Sequence, residues 1–224
     1  MRLDKFISKS LGISRKDSKQ LILSKRVKVN GKIIQDPSLK VKDKIVEVDG
    51  SPIESPEENI YIMLNKPAGF VSSTSDKEST VLDLIDHPRV RELHPVGRLD
   101  KDATGLLILT NDGDFTHKVI SPKYHVEKEY EVIVEGNPQN ALKLLEGVKV
   151  GKHFFKALKI EVNGDAIHIV IDEGKYHQVK LMMEAVGLSV RSLKRIRIGG
   201  LRLDVEEGKW RELSEEEVRK VMGK

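Results

Sequence analysis

Arg98-Leu99-Asp100 sets a cation and a carboxylate on either side of a leucine. In an extended segment, alternation sends Arg98 and Asp100 to one face and Leu99 to the other. Thr104-Gly105 then punctuates the chain. Leu106-Leu107-Ile108-Leu109 is short, fully apolar and closed by Asn111-Asp112-Gly113, so it is predicted to be a buried strand. A charged pair on a short segment that runs into a core strand has the rigid base a reactive carboxylate needs. Such a carboxylate can add covalently to a substrate or take a proton from it. The plainer alternative is a surface carboxylate paired with Arg98.

Composition narrows the chemistry. The 224 residues contain no Cys, which removes disulfides, thiolate zinc sites and cysteine nucleophiles. The seven His show no H-x-x-x-H or H-E-x-x-H spacing, so no metal is expected. Neither G-x-G-x-x-G nor G-x-x-x-x-G-K-[ST] occurs, so no dinucleotide or nucleoside-triphosphate cofactor is expected. No apolar run reaches the roughly 18 residues of a membrane span, and MRLDKFISKS has no apolar segment of a secretion signal. Cytoplasm is the expected compartment. The net charge of +4 is uneven: residues 1–50 carry 13 Lys and Arg against 6 Asp and Glu, whereas the remainder is slightly acidic. A basic head on a near-neutral body fits a polyanionic partner, although small domains are also lysine-rich for solubility.

These residues need elements to hold them. Leu3, Phe6, Ile7 and Leu11 recur at helical spacing and stop at Gly12. Ser14, with Asp17 three residues on, starts a second helix whose buried part is Leu21-Ile22-Leu23. Val27 to Ile34 alternates around Asn30-Gly31, a hairpin signal, and Val41 to Val48 is a further strand. Asp49 to Glu58 holds two Pro, two Ser and clustered acids and is expected to be a linker. Tyr61 to Leu64 is a strand leading into Asn65-Lys66-Pro67-Ala68-Gly69. Thr80 starts a short helix through Ile85, and Asp114 to Ile120 forms another. Lys128 to Val134, Ala157–Val162 and Ala166–Ile171 are strands, and Asn137-Pro138 starts a helix. A helix follows Glu173-Gly174-Lys175-Tyr176-His177-Gln178 and stops at Gly187; Ser214 with Glu217 caps a last one. Adjoining strands with few long helices between them predict a mixed, mostly antiparallel sheet.

The motifs themselves resemble a family. G-R-L-D at 97–100 with Thr104-Gly105-Leu106-Leu107, Asn65-Lys66-Pro67-x-Gly69, Lys128-x-Tyr130, and Glu173-Gly174-Lys175-x-His177-Gln178-Val179-Lys180 resemble the motifs of RNA pseudouridine synthases. The wording is closest to the branch that modifies small-subunit (16S) rRNA; the large-subunit branch is the alternative. Residues 1–48, from M-R-L-D-K-F-I through V-K-V-N-G, resemble the S4 RNA-binding domain. Two departures are small: Ala103 stands where the family often has Ser or Thr, and Leu181 replaces an Arg after Lys180.

The resemblance implies an α+β protein: an S4-like α+β domain at 1–48, a linker at 49–58, and at 59–224 a catalytic domain built on that sheet with flanking helices. It implies Asp100 as the catalytic carboxylate, Tyr130 as the aromatic under the target base and Lys180 as the cation facing Asp100. Arg98, Lys66, His177 and Gln178 are expected to contact RNA, with Arg2, Lys5, Arg15, Lys16, Lys25, Arg26 and Lys28 as phosphate contacts of the head. A metal or general-base role for His177 is less expected than a loop-holding or RNA-touching one. The implied partner is ribosomal RNA, free or in an assembling subunit, bound by a monomer without cofactor. A catalytically silent rRNA-binding assembly factor is the competing class, and Asp100, Tyr130 and Lys180 together favour the enzyme. Whether Asp100 would attack the sugar, add to the base or abstract a proton is not decided by these residues.

Overall fold

A computed structural model describes residues 1–41, 44–54 and 59–223. The chain forms two compact units, 1–58 and 59–224. In the first, α1 (Leu3–Leu11) buries Leu3, Phe6 and Ile7 and ends on Gly12 in the left-handed conformation, where a glycine has no Cβ to clash. α2 (Arg15–Leu23) starts on Ser14, whose hydroxyl accepts from the Asp17 N–H at 3.1 Å. Ile22 is buried, but Leu23 is exposed, so the apolar triplet supplies less core than its sequence implies.

The strands β1 (Val27–Val29) and β2 (Lys32–Ile33) form a hairpin around Asn30-Gly31, both at positive φ as a type I′ turn requires. β3 (Val46–Val48) pairs with β1. The expected strand from Val41 is thus shorter, and residues 42 and 43 of that run lie outside the described residues.

The linker expectation is corrected at its start. β4 (Ser51–Ile53) pairs antiparallel with β3 at the edge of the head's sheet. Asp49-Gly50, at φ 53° and 81°, is a second type I′ turn. Pro52 lacks an N–H to donate, and an edge strand tolerates that. Residues 55–58 of the expected linker lie outside the described residues.

The second unit is a mixed sheet. Its strands are β5 (Tyr61–Lys66), β6 (His94–Pro95), β7 (Thr104–Thr110), β8 (Lys128–Glu135), β9 (Val148–Val150), β10 (His153–Phe155), β11 (Lys159–Asn163), β12 (Ala166–Ile171), β13 (Ser189–Ile198), β14 (Leu201–Arg202) and β15 (Trp210–Glu212). The main order is β11-β12-β8-β13-β7-β5-β15, with β6 on β7 and β14 on β13, while β9 and β10 form a separate hairpin. Among the described pairings of this sheet, β13 with β7 is parallel and the others are antiparallel.

One face packs Leu107, Leu109, Val132, Ile167 and Ile169 under α4 (Gln178–Ala185) and a 3-10 turn at Pro138–Leu145, where the sequence predicts a helix from Asn137-Pro138. The other packs Met63, Leu106 and Ile108 under α3 (Gly113–Ile120) and α5 (Glu215–Val221). Alternation along β7 therefore splits its all-apolar run between two cores, the reason that run has no polar face. Among the described residues, no helix is long and apolar enough to cross a membrane.

Candidate active site

Asp100 lies in the loop that leads into β7, and the loop is pinned from several sides. Leu99 points inward and is buried. The Ser72 hydroxyl donates to the Leu99 carbonyl at 2.9 Å and accepts from its N–H at 3.1 Å. The Gly69 N–H donates to the Lys101 carbonyl at 2.8 Å, and the Ala103 N–H closes a turn onto the Asp100 carbonyl at 3.1 Å. With both ends of the turn fixed, little conformational freedom remains to be given up when a substrate arrives.

Lys66 completes the frame and corrects an expectation. It is 0 % exposed, out of reach of RNA. Its ammonium donates to the carbonyls of Ala103 at 2.8 Å, Pro67 at 3.0 Å and Lys101 at 3.2 Å. Burial pushes its pKa down to about 8 against the pull of Asp102 and Asp100. Lys66 is a clamp on the Asp100 loop.

Gly105 also differs from the sequence reading. It lies inside β7, opposite Arg195 of β13. At φ +100° it allows an approach so close that a Cβ would lie well inside van der Waals contact distance of the Arg195 carbonyl oxygen. The Arg195 guanidinium is buried and its Nε donates to the Leu106 carbonyl at 2.8 Å.

The first turn of α4 supplies the partners of Asp100. Lys180 Nζ lies 3.1 Å from Asp100 Oδ2 and 2.7 Å from Asp102 Oδ1. Burial works against the Lys180 charge, but hydrogen bonds to Asp102 and Asp100 outweigh it and raise its pKa. The Lys180 hydrogen bond lowers the pKa of Asp102. His177 Nε2 lies 3.4 Å from Asp100 Oδ1. Asp100 is thus flanked by Lys180 and His177 rather than by Arg98, which is exposed and has no side-chain partner among the described residues.

Gln178 is the second corrected RNA contact. It is 3 % exposed. Its amide donates to Glu173 Oε1 at 2.9 Å, and its carbonyl oxygen accepts from the Lys175 N–H at 2.9 Å. It folds the 173–178 loop back on the helix.

Tyr130, buried on β8, lines a small crevice with Leu99, Asp100, Ile171, His177 and Leu193. That crevice holds about 50 Å³, the space of one or two waters. It opens beside a broader cleft of about 660 Å³ that shares Arg98, Asp100 and His177.

In the head, Arg2 and Arg15 bracket the buried Asp4, each at 3.1 Å. Burial opposes the Asp4 charge, but the two hydrogen-bonded guanidiniums hold its pKa below the ordinary value. Arg26 forms a two-pronged pair with Asp49 across the second turn. Lys16 and Lys25 are exposed, and Lys5 and Lys28 are half-buried.

Sequence reasoning missed Asp102, the nearer partner of Lys180, although its signal was the second carboxylate of Asp100-Lys101-Asp102. It also missed Tyr176, whose ring stacks on His177 with centroids 3.8 Å apart.

Residues 1–44 match the S4 domain, and residues 60–185 match the RNA pseudouridylate synthase family. The chain is 45 % identical to an uncharacterized RNA pseudouridine synthase of Aquifex aeolicus (strain VF5), over 99 % of this chain and 96 % of that one. It is 41 % identical to ribosomal small subunit pseudouridine synthase A of Escherichia coli (strain K12), over 99 % of this chain and all of the relative. A crystal structure of a pseudouridylate synthase superposes with a TM-score of 0.70 at 37 % identity, covering 99 % of both chains. The chain belongs to the RNA pseudouridylate synthase family and is an isomerase.

Proposed function

We propose that this protein isomerises one uridine of small-subunit ribosomal RNA to pseudouridine, with Asp100 as the reacting carboxylate. The observation that carries the catalytic assignment is Asp100 itself, held on a clamped loop with Lys180 at 3.1 Å and Tyr130 lining the same crevice. Small-subunit RNA as substrate is supported by full-length similarity to enzymes named for that activity. An S4 head supports RNA as the partner, and the cytoplasm is where such RNA is reached.

In the reaction the N1–C1′ bond of the nucleoside breaks and a C5–C1′ bond forms. The C5 proton leaves, and N1 gains one, so the change is redox-neutral. Asp100 can serve by adding to C1′, by adding to the uracil ring, or by taking a ribose proton. Lys180 counters its charge from one side without blocking the approach from the cleft. Tyr130 offers its ring to the uracil. The uridine must leave its stack to reach this depth, at a cost of roughly a few kcal/mol. Arg98 is placed to take a phosphate or the space the base vacates. Residues 1–48 supply affinity, and residues 59–224 supply the chemistry.

Mapping pseudouridines in the ribosomal RNA of cells with and without the gene tests this reading. One small-subunit site should disappear with the gene and return with the wild-type protein but not with Asp100→Asn. A missing site in large-subunit RNA would refute the substrate, and unchanged maps would refute the reading.

A further inference from the structure

We propose that Tyr176 is a stacking platform for a nucleobase next to the isomerised uridine in the RNA strand, an inference that rests on the uridine-isomerising reading above. The chain has four tyrosines, and Tyr176 differs from the others by being 77 % exposed. Tyr130 is buried, Tyr61 is tied to Asp112 at 2.8 Å, and Tyr124 meets the His117 ring edge-on. One face of the Tyr176 ring lies on His177 at an interplanar angle of 17°, which leaves the opposite face to solvent. Water is a poor neighbour for that much flat apolar surface.

The placement points to a nucleobase. The stack runs inward from Tyr176 to His177, and from His177 Nε2 to Asp100 Oδ1 at 3.4 Å. A base on the outer face of Tyr176 would therefore sit one ring layer away from the group that contacts the reacting carboxylate. Tyr176 and His177 line the broad cleft together with Arg98, Asp100, Ser72 and Thr74. Arg98 offers a cation to the backbone phosphate there, and the exposed Thr74 hydroxyl offers it a hydrogen bond. Flat aromatic surface alternating with cation and hydroxyl is how proteins hold single-stranded RNA around an extruded nucleotide.

The platform is also rigid before RNA arrives. The Gln178 amide group bonds Glu173 and the Lys175 N–H, and the Gln178 N–H bonds the Lys175 carbonyl at 3.2 Å. These bonds brace the loop on both sides of Tyr176. His177 is held at φ +50°, a conformation a non-glycine adopts at some cost, and it keeps the ring under Tyr176. An ordering penalty already met in the free protein favours binding.

The test uses full-length protein and an RNA oligonucleotide spanning the modified uridine, with 2-aminopurine placed just before or just after it. Stacking quenches that base. Wild type and Tyr176→Phe should quench one of the two positions, and Tyr176→Ala should not. Removal of one stacked base should raise KM and Kd by roughly 5- to 150-fold. The effect should fall on KM more than on kcat, and Tyr176→Phe should recover it. Tyr176→Ala that quenches and binds like wild type overturns the proposal. So does a variant that binds and quenches normally but loses kcat, because Tyr176 would then only brace His177. Wild-type protein that isomerises no RNA segment sinks the underlying reading, and wild-type turnover in the same assay separates that failure from failure of the platform alone.

Discussion

Gly105→Ala should damage the catalytic unit out of proportion to one methyl group. A residue with a side chain at φ +100° costs about 1–3 kcal/mol in backbone strain. The new Cβ would overlap the Arg195 backbone carbonyl, and the overlap cannot be relieved by a rotamer change because the neighbour is main chain. The strands must separate where β7 runs parallel to β13, and overpacking of this kind costs about 1–3 kcal/mol more. The stiffer unfolded chain returns only about 0.4–1 kcal/mol. The balance is a loss of about 1–5.5 kcal/mol, centred on about 3, and a loss of about 3 kcal/mol corresponds to a fall in melting temperature of about 6–12 °C for a unit of this size. Because Lys66 opposes Gly105 on β5 and clamps the Ala103 carbonyl, turnover should fall along with stability. Urea and thermal unfolding followed by near-ultraviolet circular dichroism, with single-turnover isomerisation on the same samples, give both numbers. A variant within about 1 kcal/mol of wild type would refute the reasoning that main-chain contact at Gly105 sets the spacing beneath Asp100.

Gln178→Ala should destabilise by about 1–3 kcal/mol, because it removes a buried amide that holds two partners, and it should weaken RNA binding through the loosened loop; urea midpoints and Kd measure the two effects. Stability should also rise with pH between about 8 and 10.5. Burial lowers the folded pKa of Lys66 to about 8, so in that window the unfolded state binds more protons, and the cost of the buried ammonium disappears as pH rises. Lys128, also pushed down to about 8 by burial, adds a trend of the same sign. The rise should shrink in Lys66→Met, and an identical slope in wild type and variant would contradict the clamp's charge state. Neutralising Lys16 or Lys28 should lower the log–log salt slope of RNA binding by about 0.7–0.9 for each phosphate that no longer meets a cation, and unchanged slopes would remove the head from the phosphate-binding surface.

Much of this was legible in the sequence because it is local. Gly12 ends a helix, Asn30-Gly31 turns a hairpin, and Leu106 to Leu109 is apolar on both faces because both faces are buried. Asp100 and Lys180 carried their pairing through motif wording, 80 positions apart in sequence. The misses come from partners that are distant in sequence or from conflicting local cues. Asp49-Gly50 is as good a turn signal as Asn30-Gly31, but Pro52 and the acids after it gave the stretch the composition of a linker. Lys66 and Gln178 are polar residues in RNA-binding motifs, and their composition points outward. Carbonyls at Lys101 and Ala103, and a carboxylate at Glu173, turn them inward. Arg98 and Asp100 line one cleft while Leu99 is buried, but α4 brings in a nearer cation for Asp100.

If the Asp100 carboxylate carries out the chemistry, Asp100→Asn removes the reacting group and little else. The amide keeps the size and hydrogen-bonding capacity of the side chain but cannot add to the substrate or abstract a proton. Tritium release from C5 of labelled uridine in small-subunit RNA, under single-turnover conditions with saturating enzyme, reads the reaction without a mass change. Asp100→Asn should show near-wild-type unfolding and RNA affinity with no tritium release above background. Substantial release by Asp100→Asn, with wild-type contamination excluded, would contradict a reacting role for Asp100.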